Sequence, residues 1–237
     1  MCNDALRARY ASVLDRVASA VASAGRKPGE VTLVAVSKLH PAGDVAAVAA
    51  VGQVDFGENY VREALEKRTD LQGRGLCSGV RWHMIGHVQS RKAAQVAGAF
   101  ALLHSLDSVK LADALERHMP AGAIQPVLLE INVGEEPQKA GIPAEEAAAL
   151  ADHVRERCPH LSLEGLMCLP PVFDAGEAAR PYFARLRRLR DRLRAECGLP
   201  LPHLSMGMSG DFAAAIAEGA TLVRIGTDIF GPRPPKK

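Results

Sequence analysis

Apolar positions along this chain change their spacing in a regular way. Between residues 4 and 24, Leu6, Tyr10, Val13, Leu14, Val17 and Val21 recur at intervals of three and four, which lines one side of an α-helix. From residue 31 the pattern becomes an alternation of short apolar runs and longer alanine-rich stretches. The run Val31-Thr32-Leu33-Val34-Ala35-Val36-Ser37 is short, rich in β-branched residues and preceded by Pro28-Gly29, so it predicts a strand buried on both faces. Further strands are predicted at 54–56, 82–85, 101–104, 127–131, 163–166, 203–205 and 222–224. Helices are predicted near 43–51, 58–68, 89–98, 108–118, 143–157, 177–196 and 211–218. Eight strands, each but the last followed by a helix, give an α/β fold with the count of a closed (β/α)8 TIM barrel. An open doubly wound sheet shares the alternation, but no GxGxxG follows the first strand. No polar linker interrupts the series, so the reading is one domain over residues 1–237. Residues 1–28 then form an extra helical element, and residues 232–237 a flexible tail.

Composition narrows the picture. At 237 residues the chain suits a barrel, and with 48% hydrophobic but only 4% aromatic residues its core must be aliphatic. A net charge of +2 gives no reason to expect nucleic acid as a partner. No run approaches the 18 apolar residues of a membrane helix and no secretory segment opens the chain, so a soluble cytoplasmic protein is expected. Five cysteines without a CxxC pair indicate neither a disulfide framework nor a metal site, and His83 and His87 lack the HExxH context. The arginine-rich stretch 185–194 carries Phe183, Leu186, Leu189 and Leu193 at helical spacing, which reads as a packed helix with one solvated face.

The candidate chemistry begins at Lys38, directly after the first strand. Parallel α/β folds carry their reacting groups at the carboxyl ends of their strands, where a lysine can form a Schiff base; alone, such a lysine is more often a solvated strand end. Two further loops bear on the choice. After the seventh strand comes Ser205-Met206-Gly207-Met208-Ser209-Gly210-Asp211, and after the eighth Arg224-Ile225-Gly226-Thr227, followed by residues enough for one helical turn. These are the two places where barrels of this kind commonly hold a phosphate. A ligand with both an aldehyde and a phosphate engages all three features, and pyridoxal 5′-phosphate (PLP) is the candidate cofactor.

Six blocks of the chain carry a wider resemblance. Val34-Ala35-Val36-Ser37-Lys38, Phe56-Gly57-Glu58-Asn59-Tyr60, Trp82-His83-Met84-Ile85-Gly86-His87-Val88-Gln89-Ser90, His104-Ser105-Leu106-Asp107, Ser205-Met206-Gly207-Met208-Ser209 and Val223-Arg224-Ile225-Gly226-Thr227 run in order across nearly the whole chain. Together they resemble the pyridoxal phosphate homeostasis protein (YggS-like) family. The resemblance implies the barrel of the alanine racemase N-terminal domain, PLP on Lys38, and a role in vitamin B6 and amino-acid balance without established turnover. His87 and Arg91 stand where the family more often has proline and asparagine, which puts that rim of the site in question.

The resemblance places Arg224 opposite the pyridine nitrogen. A guanidinium can only donate there and would leave the ring nitrogen unprotonated, a poorer electron sink. Ser209, Gly226 and Thr227 are the expected phosphate ligands. Asn59 is placed near the ring oxygen or the lysine, with a turn role as the alternative. His83 is placed on the pocket wall, with a hydrogen-bonded core histidine as the alternative. Two functions follow: a monomeric PLP carrier in contact with apo-enzymes, or a PLP-dependent amino-acid racemase with a second base opposite the lysine. Racemases of this barrel type add a C-terminal β domain that supplies a tyrosine, and this chain stops soon after its eighth strand, which favours the carrier.

Overall fold

The computed structural model describes residues 2–171 and 174–232. Eight parallel strands close into a barrel in sequence order: β1 (Thr32–Val36), β2 (Asp55–Glu58), β3 (Arg81–Met84), β4 (Leu102–Leu106), β5 (Gln125–Ile131), β6 (Leu161–Cys168), β7 (His203–Ser205) and β8 (Leu222–Ile225). The helices, in chain order, are α1 (Cys2–Ser23), α2 (Ala42–Ala49), α3 (Val61–Gly73), α4 (Ala93–Val96), α5 (Val109–Arg117), α6 (Ala147–Arg157), α7 (Arg180–Cys197), α8 (Phe212–Ala217) and α9 (Thr227–Phe230). The predicted tail lies, from Arg233 onwards, outside the described residues.

The two-residue alternation of strands divides the core in two. Leu33, Ala35, Phe56, Leu103, Val127, Leu129, Leu204, Val223 and Ile225 pack outwards against the helices. Val34, Leu102, Leu128, Met167 and Leu222 form a small separate cluster inside the barrel. The positions two residues further along β5 and β8 from Leu128 and Leu222 are Glu130 and Arg224, both buried. Polar groups therefore crown an aliphatic plug.

Several predicted boundaries shift for identifiable reasons. The helix expected from residue 58 starts at Val61, because Gly57 and Glu58 continue the ladder to His83 and Met84. The helix expected over 89–98 is a 3₁₀ turn, Ser90–Lys92, and one α turn; burying Ala93 and Val96 needs no more, and the chain turns at Gly98 into β4. Strand β6 is longer than expected and shifts register against β5 between Leu163 and Gly165. Gly165 has φ +155 there, and a Cβ on it would meet the His203 carbonyl oxygen at 1.9 Å, so only glycine fits.

Helix α1 stands outside the eightfold repeat and is tied to the end of the chain. Arg9 Nε donates to the Ile229 carbonyl (2.9 Å) and Arg16 Nη1 to Asp228 Oδ2 (2.6 Å). A carbonyl that the short α9 leaves without a helical partner is thereby capped by α1. On α7, Phe183, Leu186, Leu189 and Leu193 are buried, so the arginine-rich stretch is a packed helix as its spacing indicates.

Candidate functional site

Lys38 sits in the turn two residues beyond β1, at the carboxyl end of the barrel. The turn is held from both sides. Ser37 N donates to Gly57 O (3.1 Å), His40 N to Ser37 O (3.0 Å), and Leu39 N to Glu63 Oε1 (2.5 Å). Leu39 has φ +65, a left-handed conformation that a leucine rarely adopts. Beneath the turn, Lys67 Nζ donates to Ser37 O (2.7 Å), Glu58 Oε1 (2.7 Å) and Glu63 Oε1 (2.6 Å), and Ser37 Oγ donates to Glu58 Oε1 (2.6 Å). Burial pushes the Glu58 carboxyl up, with Lys67 opposing it. A buried ammonium with two carboxylates thus overdetermines the strained turn that carries Lys38.

Register brings the neighbouring candidates together. Val34 pairs with Arg224 and Ala35 with Ile225, so the β8 loop lies beside the β1 turn. A Cβ on Gly226 would meet the Val36 carbonyl oxygen at 3.0 Å, which shows how closely the two approach. Val36 pairs with Gly57, so Asn59, two residues on, stands on the other flank of Lys38. Arg224 N donates to Gly207 O (2.9 Å), fastening the β7 loop to β8. Lys38, Asn59, Arg224, Gly226 and Thr227 therefore share the carboxyl ends of β8, β1 and β2. Thr227 opens α9, where the first amides have no carbonyl within the helix to pair with. Ser209, half-buried in the β7 loop, borders a groove of about 660 Å³ between α1 and α8 on the outside of the barrel.

Arg224 is 4% exposed and lies inside the barrel, with Nη1 donating to Ser205 Oγ (2.5 Å) and Nη2 to Cys168 O (2.9 Å). Burial works against its charge, but a guanidinium remains protonated in proteins. Glu130 shares this layer. Its Oε2 is buried without a partner, and burial together with Asp107 pushes the carboxyl up to about 7, Arg224 opposing. Asn59 Oδ1 is likewise buried and unpartnered. Two orphaned acceptors, a guanidinium and a glycine-lined approach fit a polar ring ligand carrying an anionic group at one end.

His83 is not brought to this mouth. Its Nε2 lies 2.9 Å from Asp55 Oδ1 and its Nδ1 2.9 Å from His104 Nε2, so both ring nitrogens are taken inside the barrel. It borders a cavity of about 360 Å³ at the opposite end, among the strand starts Thr32, Asp55, Arg81 and His203. The physical reason is the alternation: Arg81 and His83 face inwards, and the register of β3 sets Arg81 level with Asp55 at the start of β2 and His83 level with Leu102 at the start of β4. The alternative reading, a hydrogen-bonded core histidine, describes its surroundings. Sequence reasoning missed Glu58, Lys67 and Glu130; a lone acid inside a predicted parallel strand was the available signal for Glu130.

Comparison with known proteins gives the chain its relatives. The family described as alanine racemase, N-terminal domain, matches residues 12–234. The chain is 42% identical over 226 residues to the pyridoxal phosphate homeostasis protein of Aquifex aeolicus, covering 95% of this chain and 97% of that one. It is 44% identical over 225 residues to the protein of that name in Pseudomonas aeruginosa, covering 94% of each, and 39% identical over 236 residues to the human one, covering 94% and 84%. The chain belongs to the pyridoxal phosphate homeostasis protein family. Among solved structures, PipY of Synechococcus elongatus with PLP bound superposes with a TM-score of 0.79 at 34% identity, over 91% of this chain and all (100%) of that one. Alanine racemase from Corynebacterium glutamicum superposes with a TM-score of 0.68 at 20% identity, over 93% of this chain and 61% of that one, which shows the shared barrel alone.

In this member of the pyridoxal phosphate homeostasis protein family, the two departures from the common pattern acquire partners. His87 Nδ1 lies 2.9 Å from Asp107 Oδ2, joining the loops after β3 and β4, and Arg91 Nε donates to Gln89 Oε1 (3.0 Å). Away from the mouth, α5 and the end of α6 bring Asp113, His153 and Cys158 together with donor atoms within 4.8 Å. His153 Nε2 already meets Asp113 Oδ1 at 2.7 Å, and burial with Glu116 and Asp113 pushes the Cys158 thiol up to about 11, which opposes the thiolate a metal would need.

Proposed function

We propose that this chain holds PLP as a Schiff base on Lys38 and takes part in intracellular vitamin B6 and amino-acid homeostasis without catalytic turnover. Lys38 would supply the amine that holds the cofactor's aldehyde as a carbon–nitrogen double bond, with loss of water. The observation that carries this reading is the placement of Lys38 in a strained, doubly held turn, with Arg224 on the adjacent strand and Gly226 just beyond its end. Arg224 would donate to the pyridine nitrogen, Gly226, Thr227 and Ser209 would bind the phosphate, and Asn59 would offer its orphaned oxygen to the lysine side of the ligand. Bound PLP would bring an electron sink to the mouth. An arginine at the pyridine nitrogen would weaken that sink, which suits holding the cofactor over stabilising a carbanion. His83 would stand outside the direct contacts. The protein would act as a cytoplasmic monomer that hands PLP to apo-enzymes. Support comes from the relatives, which are pyridoxal phosphate homeostasis proteins by name, and from PipY, solved with PLP bound.

Borohydride reduction of the PLP-loaded protein followed by peptide mass spectrometry tests cofactor and attachment together. The expected adduct lies on Lys38, and Lys38→Ala should lose both the adduct and the imine absorption. An adduct on another lysine, or none, would overturn the assignment. Racemisation of a common amino acid well above the rate with free PLP would favour the racemase reading.

A further inference from the structure

We propose that His104 and His83 are positioning residues for the mouth: with Ser205 they form a hydrogen-bond chain of one direction that clamps the Arg224 guanidinium and runs to Asp55 at the far end of the barrel. The proposal rests on the reading that Arg224 faces the pyridine nitrogen. It concerns residues which, on the geometry above, do not reach the cofactor.

The links are Arg224 Nη1 to Ser205 Oγ (2.5 Å), Ser205 Oγ to His104 Nδ1 (2.8 Å), His104 Nε2 to His83 Nδ1 (2.9 Å) and His83 Nε2 to Asp55 Oδ1 (2.9 Å). Asp55 is closed off in turn by Arg81, whose Nε and Nη2 each donate to it at 2.7 Å. The chemistry of the two ends sets the direction. A guanidinium has no acceptor, so Ser205 Oγ accepts from Arg224; with one proton on each ring, the Asp55 carboxylate, which can only accept, fixes the remaining links, and the Ser205 hydroxyl donates to His104 Nδ1. His104 then carries its proton on Nε2 and donates it to His83 Nδ1. His83 in turn carries its proton on Nε2 and donates it to Asp55, which as a carboxylate can only accept. Burial, with His83 and Arg224 nearby, pushes His104 well below the ordinary histidine range, in keeping with a neutral ring. The chain starts at a cation and ends at an anion, and every donor points away from the mouth.

Burial makes this direction consequential. Arg224, Ser205 and His104 are each no more than 4% exposed and lie away from the cavity that His83 and Asp55 border, so any of these three that loses its partner has no water to turn to. Reversing the link at Ser205 would bring two lone pairs face to face at the histidine pair, and reversing the link at Asp55 two N–H groups. Removing His104 frees the Ser205 hydroxyl to rotate, and Arg224 loses the ordered acceptor that holds one arm of its fork. The arm is held from the strand starts, on the side away from the ligand, so the mouth is set up before any ligand arrives.

Three measurements test this. In the ¹⁵N-labelled apoprotein, both His104 and His83 should appear as Nε2–H tautomers. With PLP added, His104→Leu should weaken binding about tenfold and shift the imine absorption and its pH titration, the effect of leaving a buried charged donor poorly paired. His104→Gln, whose amide can accept from Ser205 and donate to His83, should restore both. Nδ1–H tautomers, or a His104→Leu protein with unchanged affinity and spectrum, would overturn the proposal. Arg224→Gln separates the two levels. An unchanged spectrum there removes Arg224 from the pyridine nitrogen and the chain's role with it, whereas an altered spectrum beside an unaltered His104→Leu sinks the chain alone.

Discussion

Glu130 shows how one side chain can set a pH dependence. Its carboxyl ordinarily titrates at 4.5 and in the folded protein is pushed up to about 7 by burial and Asp107. A raised native value means that the folded state holds the proton more firmly than the unfolded one. The associated stability is complete below 4.5 and is lost as the pH rises to about 7. Glu130→Gln keeps the shape and removes the titration. In urea unfolding of the apoprotein the variant should match wild type near pH 4.5 and exceed it by up to about 3 kcal/mol at pH 8. A gap that does not change with pH would mean that the orphaned oxygen is solvated in the native protein.

At the scale of elements, the turn after β1 depends on α3 and β2 through one ammonium. Lys67 meets Glu58, Glu63 and the Ser37 carbonyl, and Glu63 also accepts from Leu39 N, the residue next to Lys38. Lys67→Met leaves two carboxylates facing each other in a buried space, so a loss of about 3–5 kcal/mol is expected in chemical denaturation. Lys67→Met with Glu58→Gln and Glu63→Gln should recover much of that stability while leaving Leu39 less well held. If stability returns but PLP affinity does not, the cluster acts through the turn. This interdependence was hard to read in sequence, because each partner of Lys67 satisfies an ordinary helix or strand role by itself.

At the scale of the molecule, the proposed ligand would be gripped from the carboxyl ends of four adjacent strands, β7, β8, β1 and β2, whose neighbours complete the closed sheet. A ligand bound to the native state alone stabilises it by mass action. PLP at about a hundred times its dissociation constant should add roughly 2.7 kcal/mol to unfolding, and Lys38→Ala should lose most of that gain. Helix α1 belongs to the same scale. Its Arg9 caps a carbonyl at the end of α9 and its Arg16 pairs with Asp228 in the first turn, so the helix that opens at Thr227 is held at both ends by α1.

The order of eight strands, the extra first helix and the turn at Thr227–Phe230 were legible in the chain, because hydrophobic period and chain order are local properties. The position of Lys38 at a strand's carboxyl end was legible for the same reason. Which inward-facing side chains meet, and at which end, was not. His83 lies in β3, a few residues before the rim residues His87 and Arg91, but borders the far end, because closure and stagger set the height of each strand against its neighbours. The Lys67 cluster and the chain from Arg224 to Asp55 join residues up to about a hundred positions apart, such as His104 and Ser205 (101). No local pattern specifies such pairs; a buried polar group must find its partner in whatever space the closed barrel leaves, and only the tertiary structure decides which one it finds.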